Sequence, residues 1–585
     1  MTPRRRRLWW ALGPLVLLVV AFVAAFTVSA LSVQRNLRDA RVAVGGLRAA
    51  LLDRGTTPAE VSADLQRVQA AAKAADDAAS GPLWGLPAAV PLLGRPLRTV
   101  RGAASAVDQL ARMVLPDLAA AQRTLLTGSL HTAAGGVRLA PIVAAQQPLA
   151  RADAQTGQIL AQIQALQHSI IGPVDQGRRQ LLAQVQGLAG QLHAADTAVR
   201  LLPPMLGADG PRRYFLGFEN NAEARGLGGL PGAYAIVRAD QGKITFEKFG
   251  NDTDFGGVHV SAADFGPDFL AHYAGAGPQD IFVNSDYSPH FPYAAKLWMR
   301  YWQAKTGEKL DGAIATDPTA LSYLLAVTGP TTLADGTAVS ASNVVALTES
   351  LAYTRFTDTA RRKQFFIDVA KAVADDVLKR GPAKDTTLAK SLARAVGERR
   401  MLVWSARPDE EQLLSGEPIA GLLPDTSAPF ASVVINSASG SKVDYYFDRD
   451  VRYTGPSCSG RVRTSSVTVR LTNNAPTSGL SDYVANRVDN PPPGTPRGSE
   501  RLQIGVYATK GALLASATLD GKQEFLTVNQ ELGRPVYTAF LEIAPQTART
   551  LVLYLVEPAT ARGIPSTIVQ PLVRPQHTQL PSRGC

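Results

Sequence analysis

The 585-residue chain carries 60 Lys and Arg against 49 Asp and Glu, a net charge of +11, with 45% hydrophobic and 19% charged residues. It is too apolar to be a disordered chain and long enough for about three or four structural units, each with its own core. The positive excess is spread along the chain as scattered arginines, with Arg4–Arg7 as its longest run and no basic stripe interleaved with aromatics, which argues against a nucleic-acid partner and for an anionic envelope.

Residues 1–7 read as a basic cytoplasmic tail and 8–33 as a transmembrane anchor. Leu8 to Val33 contains no charged residue, and roughly 25 residues at 1.5 Å each exceed the ~30 Å hydrocarbon core. Trp9 and Trp10 stand at an interfacial position, and the arginines place the amino terminus inside. Val28-Ser29-Ala30 is a passable cleavage site, but the apolar run is longer than a signal core, so an uncleaved anchor is expected. The chain beyond the anchor is then extracytoplasmic, and an oxidising compartment lets Cys458 pair with Cys585.

From 34 to 207 the composition predicts a helical stalk or bundle of about five helices, with Leu65, Val68, Ala72 and Ala75 as one inward series. Breaks fall at Gly81–Pro87, Pro91–Pro96, Gly135-Gly136 and Gly172-Pro173. The loop around Trp84 is expected to pack between helices, with lipid contact as the alternative.

Residues 208–425 read as a central α/β layered domain. Tyr214, Leu216 and Phe218 open it as a strand. Arg225 then stands before Gly226, Gly228, Gly229 and Gly232, with further strands at Ala233–Val237 and Lys243–Phe249. Glycines that bare backbone amides beside an arginine fork suit an anion, and they equally serve backbone geometry alone. Ile281–Asn284 reads as a short strand, and a helix begins after the loop that ends at Pro292. Leu310–Asp317 gives a turn and a buried strand, and Pro318 starts a helix with Leu321, Leu324 and Leu325 inward. Ser340 or Ser342 caps a helix carrying Val345, Leu347 and Leu351, and Asp358 or Thr359 caps a second. Its stripe Arg362, Phe366, Val369, Val373, Val377 puts Arg362 at the core edge beside a helix amino terminus. Residues 426–585 alternate in short strands, such as Val467/Val469/Leu471 and Leu551/Leu553/Leu555, and predict a β-sandwich of immunoglobulin type. The whole is a multidomain α+β chain.

Catalytic signatures are missing: there is no Gly-x-Ser-x-Gly, no phosphate-binding loop ending Gly-Lys-Ser/Thr, and no HExxH. The seven histidines show no metal-ligand spacing, and His290 reads as a loop hydrogen-bonder.

NNAEARGLGGLPGAYAIVRADQGKI, SPHFPYAAKLW and LDGAIATDPTALSYLLAVTGP together resemble the domain-of-unknown-function 4012 family, membrane-anchored envelope proteins of Gram-positive bacteria. That family carries an acid where His290 stands. More weakly, Arg225, Asp252, LDGAIATDPTALSYLLAVTGP and SLAYTRFTDTARRKQFF resemble the LytR–CpsA–Psr phosphotransferases, which move glycan from a polyprenyl-pyrophosphate carrier using arginines and Mg²⁺-binding aspartates. The resemblance implies phosphate-binding roles for Arg225, Arg355, Arg361, Arg362 and Gln364, with Gly228 and Gly229 beside them, and a hydrated Mg²⁺ on Asp252 and Asp254. In this chain Gly226–Gly229 replaces the first catalytic Asp, and Asn251 replaces the arginine of the Arg-Asp pair. The expected function is binding, or transfer, of polyprenyl-phosphate-linked glycan. A non-catalytic scaffold for other envelope proteins is the alternative.

Overall fold

The computed structural model describes residues 29–40, 42–44, 46, 57–81, 84, 94–126, 130–132, 136–380, 385–455 and 462–581. The predicted anchor up to residue 28 and the Cys458–Cys585 pair lie outside them. Among the described residues no helix is long and apolar enough to cross a membrane. The chain forms two compact units, Met1–Leu130 with Arg138–Met205, and His131–Val137 with Leu206–Cys585.

The first unit is helical. Residues 29–40 are helical, and after them come α1 (Pro58–Ser80), α2 (Arg95–Gln109), α3 (Leu115–Leu126), α4 (Leu139–Gln164) and α5 (Gly172–Met205). Thr57 and Glu60 form a reciprocal capping box that starts α1, with Pro58 in its first turn. Val68, Ala72 and Ala75 are buried as their spacing predicts. A π-turn, Leu110–Val114, joins α2 to α3 without a break. Trp84 is buried, and its indole N–H donates to Ser29 Oγ at 2.9 Å. Ala30, Val33 and Leu37 pack in the same cluster with Ala79 and Ala104. Of residues 29–33, assigned from sequence to the anchor, Val33 is buried and Ala30 half-buried in this cluster, while Leu31 is exposed.

The second unit is built on a seven-stranded mixed sheet of order β1-β2-β5-β4-β3-β6-β9. Its strands are β1 (His131–Thr132), β2 (Gly136–Val137), β3 (Arg212–Asn220), β4 (Leu230–Asp240), β5 (Lys243–Asn251), β6 (Gly312–Thr316) and β9 (Met401–Ser405), and β7 (Thr331–Thr332) with β8 (Ala338–Val339) form a separate hairpin. The β1–β2 hairpin, at the predicted Gly135-Gly136 break, reaches this sheet through Gly136 opposite Lys243. β3 is central, antiparallel to β4 and parallel to β6. Helix α6 (Pro267–Tyr273) and helix α7 (Phe291–Thr306) belong to the crossover, and α7 lays Trp298 over β3. A Cβ on Gly217 would lie 2.7 Å from the Trp298 ring, so glycine there sets the helix–sheet distance. Phe215, Tyr234 and Phe255 fill the same layer in stacked and tilted pairs. On the other face lie α8 (Pro318–Thr328) and α9 (Thr359–Arg380), and later in the chain come α10 (Asp385–Gly397) and α11 (Pro408–Leu414).

Two local expectations change. Ile281–Asn284 is not a strand: Phe282–Asn284 is a 3-10 turn, Ile281 is exposed, and the Asn284 amide donates to Ala276 O at 2.7 Å. The helix of residues 344–355 starts after Asn343, whose Oδ1 accepts the Ser340 N–H at 2.7 Å, so neither serine caps it. A π-turn at Leu347–Leu351 then rotates its face, so that Thr348 and Glu349 are buried and Leu351 is exposed. Asp358 caps α9 as expected, accepting the Arg361 N–H at 2.7 Å.

The carboxyl-terminal part is a β-sandwich of a four-stranded and a six-stranded sheet, β10-β13-β17-β16 and β15-β14-β18-β12-β11-β19. The ranges are β10 (Ala431–Ser437), β11 (Phe447–Thr454), β12 (Val462–Asn473), β13 (Glu500–Ala508), β14 (Leu513–Leu519), β15 (Lys522–Glu524), β16 (Thr527–Glu531), β17 (Arg534–Ile543), β18 (Thr547–Pro558) and β19 (Gln576–Gln579). Val467 pairs with Leu553 and Val469 with Leu551, and both sets face Ile435, Ile504 and Leu541 across the core. Each such buried side chain contributes about 1.5–3 kcal/mol. Ten strands in this order exceed the seven or nine of an immunoglobulin domain.

Sandwich and α/β layers share one unit. Asp444 Oδ2 accepts the Ala224 N–H at 2.7 Å, the Asn221 amide donates to Pro571 O at 2.9 Å, and the Gln570 amide bridges Ile435 O and Arg225 O.

Candidate functional site

Where β3 ends, its register with β4 shifts: Phe218 faces Ala233 and Glu219 faces Pro231, which leaves Gly232 without a partner. A bulge of this kind turns side chains out of the pleat. Here it opens a cavity of about 190 Å³ between the sheet and helices α8 and α9. Phe218, Leu230, Leu321, Phe366 and Val369 make its apolar wall. Arg362, Lys363 and Lys442 bring positive charge to it, and Tyr353 and Tyr483 bring aromatic faces. Tyr483 comes from α12 (Asp482–Ala485) and Lys442 from the loop before β11, so the sandwich completes the site.

Arg362 is the notable cation. It is 1% exposed, and its guanidinium lies 3.6 Å over the Tyr483 ring, which stacks on Tyr353 with centroids 5.5 Å apart. Its donors reach only Phe356 O at 3.0 Å and Thr359 Oγ1 at 3.1 Å. Among the described residues it meets no carboxylate. Lys363, by contrast, pairs with Asp252 at 2.6 Å, and Lys442 pairs with Glu223.

The carboxyls divide by environment. Burial pushes Glu223 up, but Lys442 and Arg225 outweigh it and hold it below its ordinary value. Burial raises Glu349 to about 8; its Oε2 accepts the Ala222 N–H at 2.6 Å and its Oε1 has no partner. Burial, then Asp286, drives Glu219 well above the usual carboxylate range, and neither Glu219 oxygen accepts an N–H or hydroxyl proton. Burial also raises Asp286 to about 7, with the charge of Arg225 acting against it. Asp252 meets Lys363, and Glu223 meets both Lys442 and Arg225, whereas Arg362 has no such partner among the described residues.

The residues singled out from sequence separate. Asp252 and Arg362 line the cavity. Arg225 lies behind it: buried, bonded to Glu223 at 2.7 Å and to Val283 O at 3.1 Å, it positions Glu223. Gly228 and Gly229 are packing positions, since an added Cβ would lie 2.7 Å from Pro571 O and 2.3 Å from Asn220 C. Arg355 is exposed and pairs with Asp335 at 3.0 Å, Arg361 is exposed, and Gln364 bonds Asp368 at 2.9 Å on the surface. Asp254 accepts the Tyr234 hydroxyl at 2.7 Å and the Asn251 N–H at 3.4 Å. With Asp252 held by Lys363 and Asp254 by Tyr234, the pair does not fit a hydrated Mg²⁺, and among the described residues no group of three acids or histidines is placed to hold a metal. His290 accepts the Leu423 N–H at 3.1 Å, and burial lowers it to about 3, which makes it structural.

Sequence reasoning passed over Glu219, Glu349, Lys363, Tyr353, Lys442 and Tyr483. Glu219 had a signal: it comes after Phe215 and Gly217 at period two, on the buried face of β3. Lys442 and Tyr483 arrive from the sandwich and carry no local pattern.

The site is thus a largely apolar cavity lined by Arg362, which has no carboxylate partner among the described residues, and by Glu219 and Glu349, whose carboxyls burial raises. Residues 209–353 match the model of a family described as a protein of unknown function, DUF4012. The match includes β3, the glycine loop and Glu349, and ends at Tyr353. No curated protein and no solved structure matches the chain.

Proposed function

We propose that this is a membrane-anchored, extracytoplasmic envelope protein that binds polyprenyl-phosphate-linked glycan, with the phosphate on Arg362 and the first part of the isoprenoid chain against Leu321, Phe366 and Val369. The supporting observation is the buried arginine at the edge of an apolar cavity, without a counter-charge among the described residues. A cation so placed carries a desolvation cost that a phosphate offsets. A cavity of about 190 Å³ falls below the ~300–1,000 Å³ usual for drug-sized ligands, so it takes the head-proximal segment of the lipid and not the whole chain. The ligand class is the one that the sequence resemblance to LytR–CpsA–Psr enzymes implies, and the reading is of binding, with no metal step.

The test is binding of a polyprenyl phosphate in detergent micelles. Arg362→Gln is expected to weaken it by about tenfold or more, from the loss of a charge-assisted hydrogen bond of roughly 1.5–3 kcal/mol, while the exposed neighbour Arg361→Gln binds like the wild type. No saturable binding by the wild type, or equal loss in both variants, rejects the reading. A scaffold role then gains from the sandwich surface, where Leu513, Phe525, Val528 and Phe540 are exposed.

A further inference from the structure

A second cleft, about 1080 Å³, lies between the α/β layers and the sandwich, walled by α8, the end of α10 and the extended chain 567–576. Two of its arginines, like Arg362 and Arg534 elsewhere in this unit and unlike Arg212 and Arg225, have no carboxylate partner among the described residues. Arg212 is paired with Glu410 and Asp311, and Arg225 with Glu223. Arg449, 2% exposed, donates only to uncharged acceptors, Gln570 O at 3.1 Å, Arg574 O at 3.0 Å and Gln576 Oε1 at 3.4 Å. Arg399 donates to Pro289 O at 2.7 Å, Gly421 O at 2.9 Å and Leu422 O at 3.3 Å. Neither meets a carboxylate among the described residues. The remaining cleft arginines are satisfied, Arg400 by Asp317 and Glu398 and Arg394 by Glu398. Burial lowers Arg399 to about 10, and burial together with the charge of Arg400 lowers Arg449 to about 9, the mark of cations short of a counter-charge.

The rest of the lining narrows the ligand. Tyr323, Pro418, Pro571 and Pro575 offer flat apolar faces, and Thr319 offers a hydroxyl group. Flat faces beside a neutral hydrogen-bonding group suit sugar rings, and the volume reaches the upper end of the ~300–1,000 Å³ typical of ligand sites. We propose that this cleft binds an acidic glycan, its anionic group meeting Arg449 and Arg399 and its rings lying against Tyr323 and the prolines. The site is separate from the Arg362 cavity and does not depend on the ligand proposed there.

The full chain is titrated by calorimetry with a glucuronate-containing disaccharide, glucose 1-phosphate and neutral maltose. The two acidic probes separate a carboxylate-bearing from a phosphate-bearing glycan, and maltose reports the rings alone. Saturable binding of at least one acidic probe, tighter than maltose and weakened about tenfold or more in Arg399→Gln, is the expected result. Polyprenyl-phosphate binding measured on the same variant keeps its wild-type value. Because Arg449→Gln endangers the fold, Arg449 is read in the wild type, where the acidic probe shifts the arginine Nε resonances of ¹⁵N-arginine-labelled protein. Absence of saturable binding by both acidic probes, maltose binding as tightly, an unchanged Arg399→Gln, or unshifted arginine resonances each overturns the proposal.

Discussion

At the scale of single residues the cavity carboxyls set a pH dependence. Glu349 holds its proton up to about 8 in the folded protein, against an ordinary value of 4.5. Between those values the folded state carries a proton that the unfolded state has lost. The stability linked to this group is complete below about 4.5 and is lost as pH rises through about 8. Glu500 and Asp286, each raised to about 7 by burial, act in the same direction. Melting at pH 5.5 and 8.5 is expected to show Glu349→Gln losing less stability across the interval than the wild type, by at least about 1 kcal/mol, since each tenfold change in proton affinity is worth about 1.4 kcal/mol. Equal losses would mean that Glu349 is ionised in the fold. None of this was legible in the sequence, because a raised pKa is a property of burial, and the π-turn that buries Glu349 has no sequence period of its own.

At the scale of elements the glycine loop after β3 is the instructive case. The sequence placed its strands correctly, and β3, β4 and β5 run longer than the cores read from alternation. It left the glycines between two roles, and their surroundings decide for geometry. An added Cβ on Gly226 would sit 2.1 Å from Tyr287 O, whereas on Gly232 its nearest neighbour is Leu230 Cδ2 at 3.4 Å. Gly226→Ala is therefore expected to destabilise by roughly 1–3 kcal/mol or more through overpacking, and Gly232→Ala by under about 1 kcal/mol, both read from denaturant midpoints. Similar effects at the two positions would show that the loop relaxes freely. The stripe of α9 was read with Arg362 in place because a regular helix keeps its period. The helix of residues 344–355 was misread because its π-turn breaks that period.

At the scale of the whole molecule, composition marked the change from α/β to β-rich chain near Pro424 but not that the two parts fold together. The contacts that join them run between residues hundreds of positions apart, and no local pattern reports them. Removing residues 567–585 takes away Gln570, Pro571 and β19, which hold Arg225 O, Asn221 and β11. The shortened chain is expected to lose the near-ultraviolet signal of Trp298, far away in the α/β layers, together with sandwich structure. Retention of that signal would show that the α/β layers stand alone. The same contacts give synthesis a direction. The loop that carries Arg225 leaves the ribosome some 345 residues before the glutamine that caps its carbonyl. During that interval the loop lacks these partners, so the contacts that hold it in place are completed only after the sandwich strands and the chain through Pro571 have been made.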